Sequence, residues 1–139
     1  MTDPPRTAPL NDADAVLAAN LKFYSAFLAG DYPGMDAIWA RRSAVACLHP
    51  GWAAIEGREA VMESWRHVLG DPDCRIQCHD ERVHLYGDVA IVVCEEEFSG
   101  ALLAATNVFI REDGAWRMIN HQASAIIPTY RTDTPSQLH

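Results

Sequence analysis

The segment CLHPGW, residues 47–52, places a thiol, an imidazole and an indole around a proline–glycine turn. The unperturbed pKa of histidine, about 6.5, suits a general base, and we predict His49 as the catalytic residue. Trp52 is predicted to form a wall or lid of a ligand pocket, or else to anchor the loop by packing. A Cys47–His49 nucleophilic pair is disfavoured, because side chains two positions apart on a strand stand roughly 6.5–7 Å apart.

Polar residues in the apolar second half of the chain are further candidates for ligand contact. Asn107 precedes Val108 and Phe109, and a buried amide needs a hydrogen-bonding partner, so we predict that Asn107 contacts a ligand. A carboxylate in a dry cavity would have a raised pKa and could act as an acid. In the run of three glutamates, the pattern leaves open which face Glu96 takes. The remaining histidines of this half are predicted to lie at the surface or in an interface: His79, His84 and His121.

The composition restricts the class of partner. The formal net charge is −8, and an acidic surface repels phosphate backbones, so we predict no nucleic-acid partner. The first residues lack the apolar region of a signal peptide, and no apolar run approaches the roughly 18 residues of a membrane span. We therefore predict a cytoplasmic protein with no membrane partner.

The cysteines of the chain are predicted to be free thiols, as is usual in a reducing compartment. Cys74, Cys78 and the adjacent His79 do not have the spacing of a standard zinc site. We therefore predict no metal, and no motif of the sequence indicates a cofactor.

Apolar periodicity predicts three helices followed by an antiparallel meander, which makes an α+β domain. Asn11 or a neighbouring aspartate is predicted to cap the first helix, and Gly30 to end it. The domain is predicted to occupy residues 11–127, between a flexible N-terminal arm, 1–10, and a flexible C-terminal tail, 128–139.

The segment VAIVVC, residues 89–94, is apolar at both parities. A half-exposed antiparallel strand would alternate with polar residues, so both faces of the sheet are predicted to be covered. The helices can cover one face, and a second copy of the chain is the simplest cover for the other. We therefore predict a homodimer formed through the sheet face.

The order of these elements, with the motifs AGD, GREAV and DGAWRMINHQAS, resembles the nuclear transport factor 2-like superfamily. The pattern is most similar to its SnoaL-like members and to the association domain of the calmodulin-dependent kinase; ketosteroid isomerase is also similar. The resemblance covers residues 12–127. It implies a cone in which a curved antiparallel sheet wraps around the N-terminal helices and encloses a pocket.

The resemblance also implies site positions. Ketosteroid isomerase uses an aspartate base and an oxyanion hole formed by a tyrosine and a protonated aspartate. The position of the base falls on His49 if the HPG turn is matched, or on Cys47 without gaps. The position of the tyrosine falls on Phe23, with the ligand-binding candidate Tyr24 one residue away, and that of the protonated acid falls on Asn107. All of these residue types are changed, which argues against that mechanism.

The last strand supplies two more candidates. SnoaL-like relatives often place histidines four and six residues after a tryptophan, and these positions hold Asn120 and Gln122 counted from Trp116. A period of two puts Asn120 and Gln122 on the pocket face and His121 on the opposite face. We therefore predict that the pocket side of this strand is polar but neutral, and that both amides bind ligand.

Together these features predict a small-molecule-binding protein with an apolar, carbonyl-containing ligand. It would be a cofactor-independent isomerase or cyclase, with His49 as base and Asn107, Asn120 or Gln122 as orienting donors. The alternative is a non-catalytic ligand-binding or oligomerisation module resembling the kinase association domain. A hydrolase or dehydratase is a third possibility, and it would need Glu96 or one of the neighbouring glutamates inside the cavity.

Overall fold

The computed structural model describes residues 11–130, so the predicted arm and the tail beyond residue 130 lie outside the described residues. Within that range no helix is long and apolar enough to cross a membrane. The elements in chain order are α1 (Asp12–Ala29), α2 (Tyr32–Ile38), β1 (Ala46–Leu48), β2 (Ile55–Glu56), α3 (Arg58–Leu69), β3 (Gln77–Tyr86), β4 (Val89–Phe98), β5 (Ala101–Glu112), β6 (Ala115–Ala125) and a 3₁₀ turn at Pro128–Tyr130.

The ends of α1 are set by the residues that the sequence indicated. The Asn11 side chain accepts a hydrogen bond from the backbone N–H of Asp14 at 2.8 Å, which caps the helix. Gly30 takes a positive φ of 66° and donates its N–H to carbonyls of the last turn. Between these ends the helix buries an aromatic stripe, with Phe23 and Phe27 packed edge-on against Trp65 of α3.

The sequence pattern predicts a second helix over DYPGMDAIWARR, residues 31–42, and the observed helix is shorter. It ends at Ile38, and Trp39 continues in an extended conformation and forms a parallel bridge with Met118 of β6. Trp39 is fully buried, so its indole packs in the core as a strand residue rather than on a helical face. Tertiary pairing with β6 therefore overrides the local helical pattern.

The sheet has six strands in the order β2-β1-β6-β5-β4-β3. The predicted antiparallel meander is confirmed for β3 through β6. The short strand predicted through Cys47 is observed as β1; its parallel pairing with β6 and the two-residue edge strand β2 were not predicted. The sheet curls around α1, which packs against β3, β4 and β6, and this arrangement makes the cone.

A β-bulge in β6 changes which side chains enter the cone. Asn107 pairs with His121, and Phe109 pairs with Met118. Strand β6 therefore contains one more residue than β5 between these two pairs. The extra residue inverts the alternation beyond Met118. His121 is consequently 1% exposed inside the cone, whereas Asn120 is half-buried and Gln122 is exposed on the outer face. The predictions that Asn120 and Gln122 face the pocket and that His121 lies at the surface are therefore wrong.

Arg58, at the start of α3, holds the end of α2 in place. One guanidinium nitrogen donates to the carbonyls of Trp39 and Ala40 at 3.0 and 3.2 Å. The other donates to the carbonyl and the carboxylate of Asp36 at 2.9 and 2.7 Å. The chain leaves its helix here to reach the sheet, and the planar fork of arginine satisfies the carbonyls left free at that point.

Replacing this fork is expected to destabilise the fold. Arg58→Ala should lower the free energy of unfolding by about 2 kcal/mol, because carbonyls at the end of α2 lose a charged donor. Urea unfolding followed by circular dichroism measures the change. Lys22→Ala, at an exposed cation on α1, is the control and should stay within about 0.5 kcal/mol of the wild type. An equal and small effect for both variants would contradict the assigned role of Arg58.

Candidate functional site

The interior of the cone contains a group of buried polar side chains, which we name the polar cluster: Asn20, Tyr24, Glu96, Asn107 and His121. Helix α1 supplies the first two, one helical turn apart on the face that packs against the sheet. Strands β4, β5 and β6 supply one each, on the inner face. Buried polar groups need internal partners, and these five provide partners for one another.

Tyr24 is the central donor of the cluster. The Asn107 amide nitrogen donates to the Tyr24 hydroxyl at 3.0 Å, and that hydroxyl donates to Oε2 of Glu96 at 2.7 Å. The same amide nitrogen donates to Oδ1 of Asn20 at 2.9 Å. The tyrosine predicted from the sequence is therefore in the site, and its hydroxyl holds one oxygen of the Glu96 carboxyl.

The tautomer of His121 follows from its neighbour. The Asn107 nitrogen points to Asn20, so Oδ1 of Asn107 faces Nδ1 of His121 at 2.6 Å and accepts its hydrogen. The unprotonated Nε2 then lies 3.7 Å from Oε2 of Glu96. Burial, with a further contribution from His49, lowers the pKa of His121 to about 3, so the imidazole is neutral at physiological pH.

Glu96 is the acid of the cluster, and its side chain has no exposed surface. Burial raises its pKa to about 7, although the hydrogen bond from Tyr24 acts in the opposite direction. Oε2 is bound by Tyr24, whereas Oε1 has no hydrogen-bonding partner among the described residues. Leaving such an atom unsatisfied costs about 1–3 kcal/mol, and such atoms often occur at functional sites.

His49 lies in the second region of the site. Its Nε2 is 2.9 Å from Oγ of Ser64, which donates its own hydrogen to the carbonyl of Val61 at 2.6 Å. Nε2 of His49 therefore carries the proton, and Nδ1 is the accepting atom of the ring. Burial lowers the pKa of His49 to about 4, so this imidazole is also neutral at physiological pH. Its ring packs edge-on against Trp52 and Trp65.

Cys47 is closer to His49 than the strand geometry predicted, with 3.6 Å between Sγ and Nε2. The Nε2 proton is already donated to Ser64 at a shorter distance. Burial, followed by the nearby Glu96, raises the pKa of the Cys47 thiol far above its usual range. A protonated and buried thiol is not a nucleophile, so the chemistry of this region lies with the imidazole.

An apolar cavity of about 280 Å³ opens beside His49. Trp52, which is 44% exposed, lies at its mouth with His67. Leu103 belongs to its wall and is also the cross-strand partner of Glu96, so the cavity approaches the polar cluster along the sheet. The remaining lining residues are Phe27, Pro50, Val68, Asp71, Cys74, Ile76 and Phe98.

A second depression, of about 470 Å³, runs between α1 and β3. We name it the α1–β3 groove. Asn20, Tyr24 and Cys78 lie along it, so it reaches two members of the polar cluster directly. Ile76 lines both the groove and the apolar cavity and separates them.

The structure places the candidate residues in three locations. Tyr24 and Asn107 belong to the polar cluster, His49 and Trp52 border the apolar cavity, and the amides of the last strand lie outside both. The sequence patterns did not assign two residues of the polar cluster to the site: His121, which the bulge turned inward, and Asn20. A signal for Asn20 existed, since it is a polar residue on the same helical stripe as Val16, Phe23 and Phe27. Within residues 11–130 no three acidic, histidine or cysteine side chains are grouped as a metal site requires.

Known structures resemble the chain over most of its length. A protein from Streptomyces avermitilis, provisionally named a dehydratase of the NTF2-like family, is 32% identical, with 84% of this chain and 96% of that chain covered and a TM-score of 0.75. A provisionally named calcium/calmodulin-dependent protein kinase type II association domain from Thiobacillus denitrificans is 35% identical, with 80% and 94% covered and a TM-score of 0.72.

A curated plant protein is also similar. The F-box protein SKIP8 of Arabidopsis thaliana is 24% identical over 116 residues, which are 81% of this chain and 50% of that protein. The chain therefore spans about half the length of the curated relative that it matches. Residues 16–128 match the family described as the SnoaL-like domain, and these residues contain both the polar cluster and the apolar cavity. The chain belongs to the SnoaL-like domain family and has the NTF2-like cone fold.

Proposed function

We propose that the protein is a cofactor-independent enzyme that moves protons on a small apolar molecule bearing a hydroxyl or carbonyl group, as an isomerase, cyclase or dehydratase. The observation that carries the proposal is the Glu96 carboxyl, which is fully buried and has one oxygen without a protein partner. A carboxyl held in this way is protonated for a large part of the time near neutral pH. Its free oxygen can then give a proton to a ligand or receive one.

The second proton-transfer group of the proposal is His49. Burial keeps its imidazole neutral, and its Nδ1 is left as an acceptor by the bond to Ser64. The same fold thus lowers the pKa of a base and raises that of an acid, which is the arrangement that acid–base enzymes use. We assign His49 as the base and Glu96 as the acid. Tyr24 and Asn107 are positioning residues, because they hold Oε2 and leave Oε1 free.

The ligand class follows from the cavity beside His49. Its walls are mostly apolar, and its volume of about 280 Å³ suits a molecule of one or two rings. Trp52 at the mouth offers an aromatic surface for such a ring. The Streptomyces avermitilis relative, provisionally named a dehydratase, is consistent with elimination of water as one of the reactions.

The proposal predicts activity on simple probes. In deuterated water the protein should accelerate exchange of the α-hydrogens of β-tetralone, followed by proton NMR. It should also accelerate dehydration of the β-hydroxy ketone formed from benzaldehyde and acetone, which produces a conjugated, ultraviolet-absorbing enone. Glu96→Gln and His49→Ala should each lower the catalysed rate by about a hundredfold or more, because each removes a proton-transfer group.

Matched controls exist on the outer side of the sheet. His79 and Glu97 form an exposed pair at 2.8 Å, and His79→Ala and Glu97→Gln should keep the wild-type rate. Binding of β-tetralone is measured separately through the change in tryptophan fluorescence. Wild-type protein that binds the ketone but exchanges its hydrogens at the buffer rate would contradict catalysis and support a binding module.

The raised pKa of Glu96 also predicts a pH dependence of stability. The folded protein holds this proton up to about pH 7, whereas the unfolded chain releases it near the ordinary value of 4.5. Stability contributed by the protonated group is therefore present below pH 4.5 and lost as the pH rises to 7. Relative to Glu96→Gln, the wild type should lose roughly 3 kcal/mol over this window.

This comparison isolates Glu96 from the buried imidazoles. Their pKa values are lowered in the fold, so His49 and His121 make both proteins more stable as the pH rises toward 6.5. Taking the difference between variant and wild type cancels that common trend. Urea unfolding of both proteins at several pH values between 4.5 and 8 measures the difference between their free energies of unfolding. A difference that does not change with pH would show that the carboxyl of Glu96 titrates normally.

We further propose that the outer face of the sheet pairs with a second copy of the chain. Ile91 and Val108 are direct cross-strand partners on this face, and both are only half-buried in the single chain. Val93 and Ile110 extend the same apolar patch, and the bulge adds Asn120 beside Val108. The similarity to a kinase association domain supports assembly of copies of the chain, with or without catalysis.

A single charge in the patch tests this assembly. Val108→Arg should convert a particle of twice the chain mass of 15.4 kDa into a monomer in light scattering, because a cation would be buried in an apolar interface. The control is Ile127→Arg, at a residue that is 58% exposed beyond the sheet. A wild-type mass of one chain, or a dimer that survives Val108→Arg, would exclude the outer face as the interface.

A further inference from the structure

Two cysteines meet on the inner side of the sheet, where β3 and β4 pair. Cys78 is the direct cross-strand partner of Glu96, and Cys94 precedes Glu96 by two residues on the same face. The two cysteines are therefore diagonal neighbours on one face of the sheet. Each thiol shifts the pKa of the other: the pKa of Cys78 is raised and that of Cys94 is lowered.

The polar cluster surrounds this thiol pair. The Asn20 amide lies 3.9 Å from Sγ of Cys78, and the Asn107 amide lies 3.8 Å from Sγ of Cys94. The Tyr24 hydroxyl is 3.3 Å from Cys94. The hydrogen bond from Cys78 is the largest cause that lowers the pKa of Cys94, whereas the pKa of Cys78 is raised. Cys94 is therefore the thiol of the pair that ionises more readily, and Cys78 is the one that retains its proton.

The pair lies beside the α1–β3 groove, at the edge of the sheet. Cys78 lines the α1–β3 groove, which opens to solvent, while Cys94 lies beneath it. Strand β3 is the last strand of the sheet, so its outer edge has no neighbour within the described residues. A bulge between His79 and Arg82, with Asp80 at a positive φ of 58°, already bends this strand beside Cys94. Shortening the sulfur–sulfur distance to about 2 Å requires movement of one edge strand only.

We propose that Cys78 and Cys94 form an oxidation site, in which a small peroxide entering the α1–β3 groove converts the two thiols into a reversible intramolecular disulfide. The inference is independent of any catalysis by Glu96, since it rests on the thiol pair and its access. It assigns a specific role to two of the four cysteines, which the composition alone describes as free thiols.

The reaction balances with one molecule of hydrogen peroxide. The sulfur of Cys94, in its thiolate form, attacks one oxygen of a peroxide that has entered the groove; the O–O bond breaks and the departing hydroxide takes a proton to become water. The sulfur of Cys78 then attacks the resulting sulfenic acid of Cys94. The S–O bond breaks, the S–S bond forms, and a second water leaves with the remaining thiol proton. The two sulfurs are oxidised and the peroxide is reduced.

The disulfide would alter the polar cluster. The Cys94 sulfur would no longer carry a thiol or thiolate, so the Tyr24 hydroxyl would lose a charged or donating neighbour at 3.3 Å. Tyr24 also binds Glu96, and the oxidation state of the pair is thereby connected to the environment of that carboxyl. The connection passes through one hydroxyl group.

The test uses the full chain, reduced with dithiothreitol, desalted and treated with hydrogen peroxide. The expected result is a loss of two of the four free thiols in a denaturing thiol titration, with an intact mass lower by two hydrogens. Peptide mapping without reductant should find the Cys78 peptide joined to the Cys94 peptide, and dithiothreitol should separate them. Gel filtration should show no change of mass, as an intramolecular bond requires.

Variants separate this pair from the other accessible thiol. Cys74 is half-buried and hydrogen-bonded to Asp71 at 3.4 Å, away from the pair, and Cys74→Ser should form the disulfide as the wild type does. After the same peroxide treatment, the remaining thiols of Cys78→Ser should stay free or gain oxygen. A bridge that involves Cys74, a bridge between two chains, or addition of oxygen without any thiol-to-thiol bond in the wild type would each overturn the proposal. The wild-type map decides the question even if a variant folds poorly.

Discussion

A carboxyl group with no access to water must be neutral or hydrogen-bonded, and in this protein Glu96 imposes that constraint on the whole interior of the cone. The Tyr24 hydroxyl satisfies one oxygen, Asn107 supports Tyr24, and Asn20 and His121 satisfy Asn107. The chain of partners joins α1 to three strands of the sheet. Helix position, strand register and tautomer are therefore mutually dependent, and a shift in one would leave a buried polar atom without its partner.

The polar cluster is enclosed by aromatic side chains that set its electrostatics. Phe23 packs against Tyr24, against the His121 ring and against Trp65, and Trp65 in turn packs against His49. These rings exclude water and provide little compensation for charge, so both imidazoles are kept neutral and the carboxyl is kept partly protonated. The same packing that stabilises the cone thus sets the protonation states of its titratable groups near neutral pH.

The two depressions lie on either side of Ile76 and have different chemistry. The cavity beside His49 is apolar and suits an organic ligand, whereas the α1–β3 groove leads to amides and thiols. Ile76 lies between them, so a ligand in one and an oxidant in the other would approach the same cluster without sharing a path. The outer face of the sheet is the surface that we propose for assembly, and structures similar to this chain carry the names of both an enzyme and an association domain.

Local sequence patterns were sufficient for much of the architecture. The Asn11 cap, the Gly30 end and the antiparallel meander could be predicted, because capping, turn chemistry and strand alternation act over a few residues. The family followed from the resemblance of its motifs. His49 and Asn107 were identified from their residue types and positions, and Tyr24 from the position that the resemblance implied for a tyrosine. The alternation along β4 also indicates that Glu96 faces inward, because Glu96 shares its parity with the buried Ala90 and Val92.

The tertiary structure alone decided which side chains meet. The bulge in β6 reverses the faces of Asn120, His121 and Gln122, and no local pattern marks it, because the extra residue is set by pairing with β5 and β1. The departure of Trp39 from α2 and the pairing of β1 with β6 likewise depend on residues distant in sequence. The pKa values of Glu96, His49 and His121 depend on burial by elements far apart in the chain. Residue type therefore determined which groups could do chemistry, and only the packed fold determined their protonation and their partners.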